Sequence, residues 1–158
     1  MASENKRVAD SATSQVQILM PTDINGYGRL FGGRLMQWID VVAGAVARRH
    51  SNANVTTVAV DNLQFKAPAY ANDMIVLEGR MTYVGHTSME VRVESFVESP
   101  YGERSLVNRA YLVLVALDRY EKPMPVPGLV LENDGERAEW EAGLKRKALR
   151  DMRRSEGY

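Results

Sequence analysis

The sequence predicts an α+β fold in which one antiparallel sheet packs against a single long helix. The helix is indicated by residues 35–47, which follow the pair Gly32-Gly33 and are apolar except for Gln37 and Asp40. A helix that is apolar all round is expected to be buried all round. A segment rich in β-branched residues comes next, and three further predicted strands follow it, separated by short turns as in consecutive hairpins. One buried helix on such a sheet is an α+β layer arrangement.

Turn-forming residues delimit the elements before and after the helix. Residues 1–14 are polar and are predicted to be flexible, and a short strand over 16–19 ends before Pro21, which has no N–H to donate to a sheet. Asp, Asn and Gly residues over 22–28 favour a turn. The helix ends at three cations that its dipole favours there, Arg48-Arg49-His50.

The strands after the helix are predicted over 55–66, 74–83, 88–99 and 105–117. In the first of them the apolar parity changes, which predicts either a bulge near Asp61-Asn62 or a strand covered on both faces. Prolines over 121–128 predict an extended connector, and 136–154 predicts a basic C-terminal helix. Residues 15–120 thus form one domain, and 121–158 are its C-terminal extension. One sheet and one helix leave apolar faces uncovered, so we expect a homo-oligomer.

Composition excludes several classes of protein. The 158 residues carry 20 Lys and Arg against 20 Asp and Glu, so no net charge favours nucleic acid as a partner. The absence of cysteine excludes a disulfide framework and a thiolate nucleophile. The N-terminus lacks the apolar core of a signal peptide, and the apolar helix is shorter than the roughly 20 residues of a membrane span. We expect a cytoplasmic protein without a membrane partner.

Three stretches resemble the hotdog-fold acyl-CoA thioesterases: DINGYGRLFGGRLMQWIDVVAGAVARRH, TVAVDNLQFKAP and VGHTSMEVRVES. The similar branch is that of the cytosolic acyl-CoA hydrolases, which includes the brain-type and bacterial short-chain enzymes. The combination of Asn25, Phe31-Gly32-Gly33, Asp40 and the turn at Thr87-Ser88 makes the resemblance specific. It implies a curled sheet wrapped around the helix, dimers with a continuous sheet, and often three dimers in a hexamer. It also implies that Asn25 of one subunit faces Asp40 of the other.

Asp40 is the candidate general base toward water, and direct attack by its carboxylate is the alternative. Helical spacing places Gly33, Gln37, Gly44 and Ala47 on the same stripe, whose small residues allow a close approach to the carboxylate. Partial desolvation is expected to suit Asp40 to base catalysis. The competing interpretation is a buried aspartate that pairs with an arginine and has only a structural role.

The remaining predicted contacts follow the same resemblance. Asn25 either orients the water or the thioester carbonyl, or is only a turn residue. The amides of Gly32 and Gly33, at a helix N-terminus, are a plausible oxyanion hole, and tight loop packing is the alternative. The expected coenzyme A contacts are Arg49, His50, Gly85, His86, Thr87 and Ser88. Many relatives have Arg or Lys where this chain has His86. The alternative role of Arg48 and Arg49 is to cap the C-terminus of the helix. The basic C-terminal helix is interpreted as a solvated face rather than a phosphate contact.

The sequence therefore predicts an enzyme that hydrolyses fatty acyl-CoA to a free acid and coenzyme A. No cofactor is expected beyond coenzyme A as part of substrate and product. A serine hydrolase is disfavoured because no G-x-S-x-G motif is present, and two histidines are poor material for a metal site. A hydratase of acyl thioesters would need a histidine in the active loop. The alternative from a different class is a non-catalytic acyl-CoA sensor or oligomeric scaffold.

Overall fold

The predicted α+β architecture is confirmed. The computed structural model describes residues 4–158, so residues 1–3 lie outside the described part of the chain. The helices are α1 (Val8–Ser11), α2 (Gly32–Ser51) and α3 (Asp134–Glu156). The strands are β1 (Lys6–Arg7), β2 (Thr13–Ile18), β3 (Asn54–Phe65), β4 (Met74–Val84), β5 (Ser88–Glu98), β6 (Arg104–Leu117) and β7 (Leu129–Val130).

Five strands form one antiparallel sheet in the order β2-β4-β5-β6-β3, so β2 and β3 are its edges. Strands β4, β5 and β6 follow one another as hairpins, as their short connecting turns predict. Helix α2 packs across one face of this sheet. The core lies between Ile39 and Val42 of α2 and the inward side chains of the sheet, such as Leu77, Val93 and Leu112.

The parity change in β3 corresponds to a bulge, as one of the two predicted alternatives requires. The register of β3 against β6 shifts between Asp61 and Gln64, and Asn62 has a φ of 54°. A second shift lies between Thr57 and Ala59. Because bulges change which side chains face the core, Val60 remains exposed while Leu63 packs partly against the core.

Helix α2 is buried on one side only, so the expectation of burial all round is wrong for a single chain. Leu35, Ile39 and Val46 are fully buried against the sheet, whereas Met36 and Val41 are 45% and 58% exposed. Ala47, predicted to share the stripe of Asp40, is also buried. The chain therefore leaves an apolar face of α2 uncovered beside the edge strand β3.

The N-terminal segment differs from the flexible segment that its polarity predicts. Lys6–Arg7 pair in parallel with Leu129–Val130, and α1 follows directly. Val8 is 4% exposed and Ser11 is fully buried, so two side chains in an otherwise polar segment anchor it to the fold.

The predicted C-terminal helix is present, but its basic residues are not simply a solvated face. Helix α3 crosses the outer face of the sheet, where Arg146 and Arg150 bind the carboxylate of Glu90 on β5 at 2.8 and 3.2 Å. Arg150 and Arg153 also bind Asp61 at the β3 bulge, at 3.1 and 3.2 Å. Three of the seven basic residues of this helix are thus held by carboxylates of the sheet, which corrects that interpretation.

Candidate active site

Asp40 lies in the middle of the uncovered face of α2. Its Oδ1 accepts a hydrogen bond of 2.7 Å from the Oγ1 of Thr57 on β3. No arginine or lysine pairs with Asp40 within residues 4–158, and its side chain is exposed, so the competing buried ion pair does not form within one chain. A carboxylate that one hydroxyl orients and no cation neutralises remains available to accept a proton.

The N-terminus of α2 presents two free backbone amides. The first helical turn leaves its N–H groups without intrahelical acceptors, and those of Gly32 and Gly33 have no acceptor in the described chain. A side chain at Gly33 would clash with the ring of Phe31, at 2.8 Å from its Cε1. The glycine pair thus combines close packing with exposed donors, and its role as an oxyanion hole stays a prediction.

Asn25 shapes the loop that precedes α2. Its Oδ1 accepts hydrogen bonds from the backbone N–H groups of Tyr27 at 2.9 Å and Arg29 at 3.2 Å. The turn role considered for Asn25 is therefore real in the single chain. The bonds to the loop engage the side-chain oxygen, and the amide nitrogen donates to no group of the described chain. That nitrogen is left to contact a substrate or a second subunit.

Asp23 fixes this loop onto the helix. Its backbone oxygen accepts the N–H of Phe31 at 2.8 Å, and its carboxylate binds the backbone N–H of Met20 and the guanidinium of Arg34. Asp23 is 8% exposed, so these bonds form in a largely dry environment and hold the loop firmly.

A cavity of 340 Å³ opens next to Asn25. Its apolar wall includes Leu30, Leu35 and Phe65, and the chain from Lys66 to Ala69 forms its rim. The cavity is of the size that small-molecule sites occupy. An apolar acyl group is a chemically suitable occupant.

The spacing along α2 separates the base from the amides within one chain. Gly33 and Asp40 are seven residues apart, which is about 10 Å along a helix with a rise of 1.5 Å per residue. The glycine amides and the backbone of Asp40 thus lie about two helical turns apart on α2.

The turn between β4 and β5, predicted to contact coenzyme A, lies near the opposite end of α2. The N–H of Gly85 donates to the oxygen of Ser88 at 2.9 Å, and the oxygen of Thr87 accepts the N–H of Ala116 at 3.2 Å. The side chain of His86 is exposed, while its backbone oxygen is bonded to the connector after β6. The turn is thus fixed by its backbone and exposes His86.

His50 does not contact solvent, so its prediction as a coenzyme A contact is wrong. It is fully buried, and its Nε2 lies 2.9 Å from the oxygen of Pro127. Burial lowers the pKa of His50 below its ordinary value of 6.5, which keeps the ring neutral. Arg49 is exposed, but it donates to Thr13 on β2 at 3.0 Å, and no contact to coenzyme A follows from its position alone.

Thr57 is the site residue that sequence reasoning missed. A threonine in a β-strand is ordinary, and only the packing of β3 beside α2 brings its hydroxyl to Asp40. Within residues 4–158, no cluster of three His, Asp or Glu side chains offers a metal site. No helix in the same range combines the length and hydrophobicity needed to cross a bilayer.

Comparison with known proteins identifies the family. The model of the thioesterase superfamily matches residues 27–102. An acyl-CoA thioester hydrolase of Bacillus subtilis, itself uncharacterised, is 37% identical over 84% of this chain and 78% of its own length. The chain belongs to the thioesterase superfamily. The sheet around α2 is accordingly the hotdog fold that the resemblance implied, and the resemblance itself is confirmed.

Two solved structures resemble this superfamily member over nearly its whole length. An apo hexameric acyl-CoA thioesterase is 36% identical, covers 96% of this chain and 97% of its own, and superposes with a TM-score of 0.91. The acyl-CoA hydrolase of Staphylococcus aureus, solved with butyryl coenzyme A and coenzyme A, is 32% identical, covers 96% and 93%, and has a TM-score of 0.92. Alanine variants of that enzyme at an aspartate, a threonine and an asparagine have also been solved.

Proposed function

We propose that this protein hydrolyses the thioester of an acyl-CoA to a carboxylic acid and free coenzyme A. The observation that carries the proposal is the unpaired carboxylate of Asp40, which Thr57 orients on a helix whose first amides are free. The relative in Bacillus subtilis and both solved structures are named as acyl-CoA hydrolases or thioesterases, which supports the same reaction. The predicted cytoplasmic location stays a prediction.

In this reaction Asp40 accepts a proton from a water molecule while the water oxygen bonds to the thioester carbon. The amides of Gly32 and Gly33 stabilise the negative charge that forms on the carbonyl oxygen. The carbon–sulfur bond then breaks, and the sulfur of coenzyme A takes the proton from Asp40. Asn25, through its side-chain nitrogen, orients the water or the carbonyl. Every step uses groups of this chain.

We place the complete site between two subunits. Asp40 of one subunit acts with Asn25 and the glycine amides of the other, as the resemblance to the acyl-CoA thioesterases implies for Asn25 and Asp40. The edge strand β3 supports this arrangement, since Val58, Val60 and Phe65 are about half exposed beside the uncovered face of α2. Pairing of two β3 edges gives a dimer with a continuous sheet. Three such dimers would form a hexamer, the state of the apo thioesterase described above.

The test is turnover of a panel of short, medium and long acyl-CoA substrates. Asp40→Asn removes the proton acceptor and is expected to lower kcat by about 10²- to 10⁴-fold. Asn25→Ala is expected to lower kcat as well. Asp151→Asn is the matched control, because Asp151 is an exposed carboxylate on α3 that pairs with Lys147. Full rates in both site variants would contradict the assignment. Thermal stabilisation by acyl-CoA without product would favour a sensor instead.

A subunit-mixing experiment tests the shared site directly. Asp40→Asn and Asn25→Ala chains are each inactive, but a mixed dimer contains one site with an intact Asp40 and an intact Asn25. Random reassociation of equal amounts is expected to restore about a quarter of wild-type activity, since half of the dimers are mixed and each has one working site. No recovery on mixing would mean that both residues act within one subunit.

A further inference from the structure

A second cavity, of 930 Å³, lies at the C-terminal end of α2 and is distinct from the one beside Asn25. Its wall includes the arginines 48, 49 and 119 and the asparagines 52 and 54. Three guanidinium groups around one opening form a concentration of positive charge in a protein whose net charge is zero.

Two of these arginines are not neutralised. Within residues 4–158, Arg48 is exposed and has neither a hydrogen bond nor an ion pair for its side chain. Arg119 only stacks over the ring of Tyr120, with 4.8 Å between the guanidinium carbon and the ring centroid. Arg49 differs, because it donates to Thr13. Two guanidinium forks are thus free to bind an anion.

The carboxylate of this cavity does not compete for the arginines. Asp118 accepts hydrogen bonds at its Oδ1 from the backbone N–H groups of Tyr120 at 2.8 Å and Lys122 at 3.0 Å, which close the turn after β6.

The negative end of the helix dipole is also offset. The Nζ of Lys6 donates to the backbone oxygen of Arg49 at 2.8 Å, and the N–H of Asn52 donates to that of Arg48. Capped carbonyls reduce the repulsion that a helix C-terminus exerts on an anion. The cavity therefore keeps a favourable potential for phosphate.

This cavity lies on the route from the reacting carbonyl. Arg48 is eight residues after Asp40, about 12 Å farther along α2. Between them Gly44 has no side chain, and a methyl group added there would meet open space within the chain. The turn that holds His86 adjoins the same region, since Thr87 bonds Ala116, which immediately precedes the cavity residue Leu117.

We infer that Arg48 and Arg119 bind the phosphates at the nucleotide end of the coenzyme A thioester. The inference rests on the proposed function and names the residues that hold this part of its substrate. A guanidinium binds phosphate through two parallel hydrogen bonds, and both arginines have a free guanidinium to offer. The pantetheine arm extends from this cavity along α2 toward Asp40.

The experiment compares butyryl-CoA with butyryl-pantetheine, which has the thioester but no phosphate. Arg48→Gln and Arg119→Gln are each expected to raise KM for butyryl-CoA about tenfold, the value of one lost charge-assisted hydrogen bond. Their kcat, and their KM for butyryl-pantetheine, are expected to stay at the wild-type values. Arg80→Gln is the matched control, because Arg80 is an exposed arginine of β4 outside this cavity and is expected to change neither KM.

Adenosine 3′,5′-bisphosphate separates substrate binding from a regulatory site. If this nucleotide inhibits hydrolysis competitively with butyryl-CoA, and does so more weakly in Arg48→Gln and Arg119→Gln, the inference is supported. Noncompetitive inhibition would indicate a separate nucleotide site and would overturn it. An unchanged KM for butyryl-CoA, or an equal rise for both substrates, would overturn it too. Calorimetric binding of coenzyme A against pantetheine tests the arginines without turnover. If the wild type hydrolyses neither thioester, the proposed function fails while the binding result still decides this inference.

Discussion

Arg146→Leu is expected to destabilise the protein strongly, although Arg146 lies in a helix that the sequence marks as a basic surface. Three hydrogen bonds of 2.8–3.2 Å join its guanidinium to the carboxylate of Glu90, which is 1% exposed. The same guanidinium stacks 3.7 Å above the ring of Tyr111. The substitution removes these bonds and leaves a carboxylate in a site without water.

The magnitude follows from what remains around Glu90. Breaking a buried ion pair from one side costs about 3–5 kcal/mol. Arg150 still reaches Glu90 at 3.2 Å and Thr82 still donates to it at 2.6 Å, so we expect a loss at the lower end, about 3 kcal/mol. For a chain of this size that loss lowers Tm by about 6–12 °C.

The assay is thermal unfolding at one fixed protein concentration, since oligomerisation makes Tm depend on concentration. Arg137→Leu is the control on the same helix, because Arg137 pairs only with the fully exposed Asp134 and is expected to leave Tm nearly unchanged. Adding Glu90→Gln to Arg146→Leu removes the stranded charge and is expected to recover part of the loss. The reasoning is refuted if Arg146→Leu matches its control, or if the added Glu90→Gln gives no recovery.

Three further predictions concern pH, catalysis and packing. Because burial lowers the pKa of His50, the unfolded chain binds a proton that the folded chain rejects, so Tm falls as pH drops below about 6.5. In His50→Gln the decrease in Tm between pH 7 and 5.5 is expected to be smaller than in the wild type. An equal decrease in both proteins would refute this role of His50. Thr57→Val removes the hydroxyl on Asp40 and is expected to lower kcat about tenfold with KM unchanged, whereas Thr57→Ser retains activity; equal kcat values would count against this role. Gly79→Ala places a methyl 2.7 Å from an α2 valine and costs about 1–3 kcal/mol. Gly44→Ala, which meets open space, is its control in the same unfolding assay.

The sequence correctly predicts those elements whose spacing of apolar side chains matches the way they pack in the structure. The apolar run from Leu35 marks α2, and the parity change around Asp61 marks a bulge, because both are local consequences of side-chain spacing. The position of His50 was also open to prediction: it lies four residues after Val46, on the buried side of the helix. The run Arg48-Arg49-His50 conceals that spacing, because the helix dipole and the expected coenzyme A contacts already account for it.

Other contacts are not local and cannot be inferred from spacing. Glu90 lies in a strand whose alternation would allow either face, and nothing in the sequence indicates that α3 would bring Arg146 to it, 56 residues later. Thr57 and Asp40 are likewise joined only by the packing of β3 against α2. The candidate site was therefore predictable in its residues on α2 and its loop, but not in the contacts that orient them.

These two sets of contacts meet on β3 and give helix α3 a place in the proposed reaction. Thr57 ties the strand to Asp40 on the inner side, and Asp61, four residues later, is held by Arg150 and Arg153 on the outer side. An edge strand with two register shifts has neighbours on one side only, so side-chain contacts must supply part of its rigidity. Helix α3 thus fixes the bulged edge at which we propose that a second subunit pairs. Removing the ion pairs of Asp61 with Arg150 and Arg153 is therefore expected to weaken both subunit pairing and turnover, because β3 provides the pairing edge and also the hydroxyl that orients Asp40.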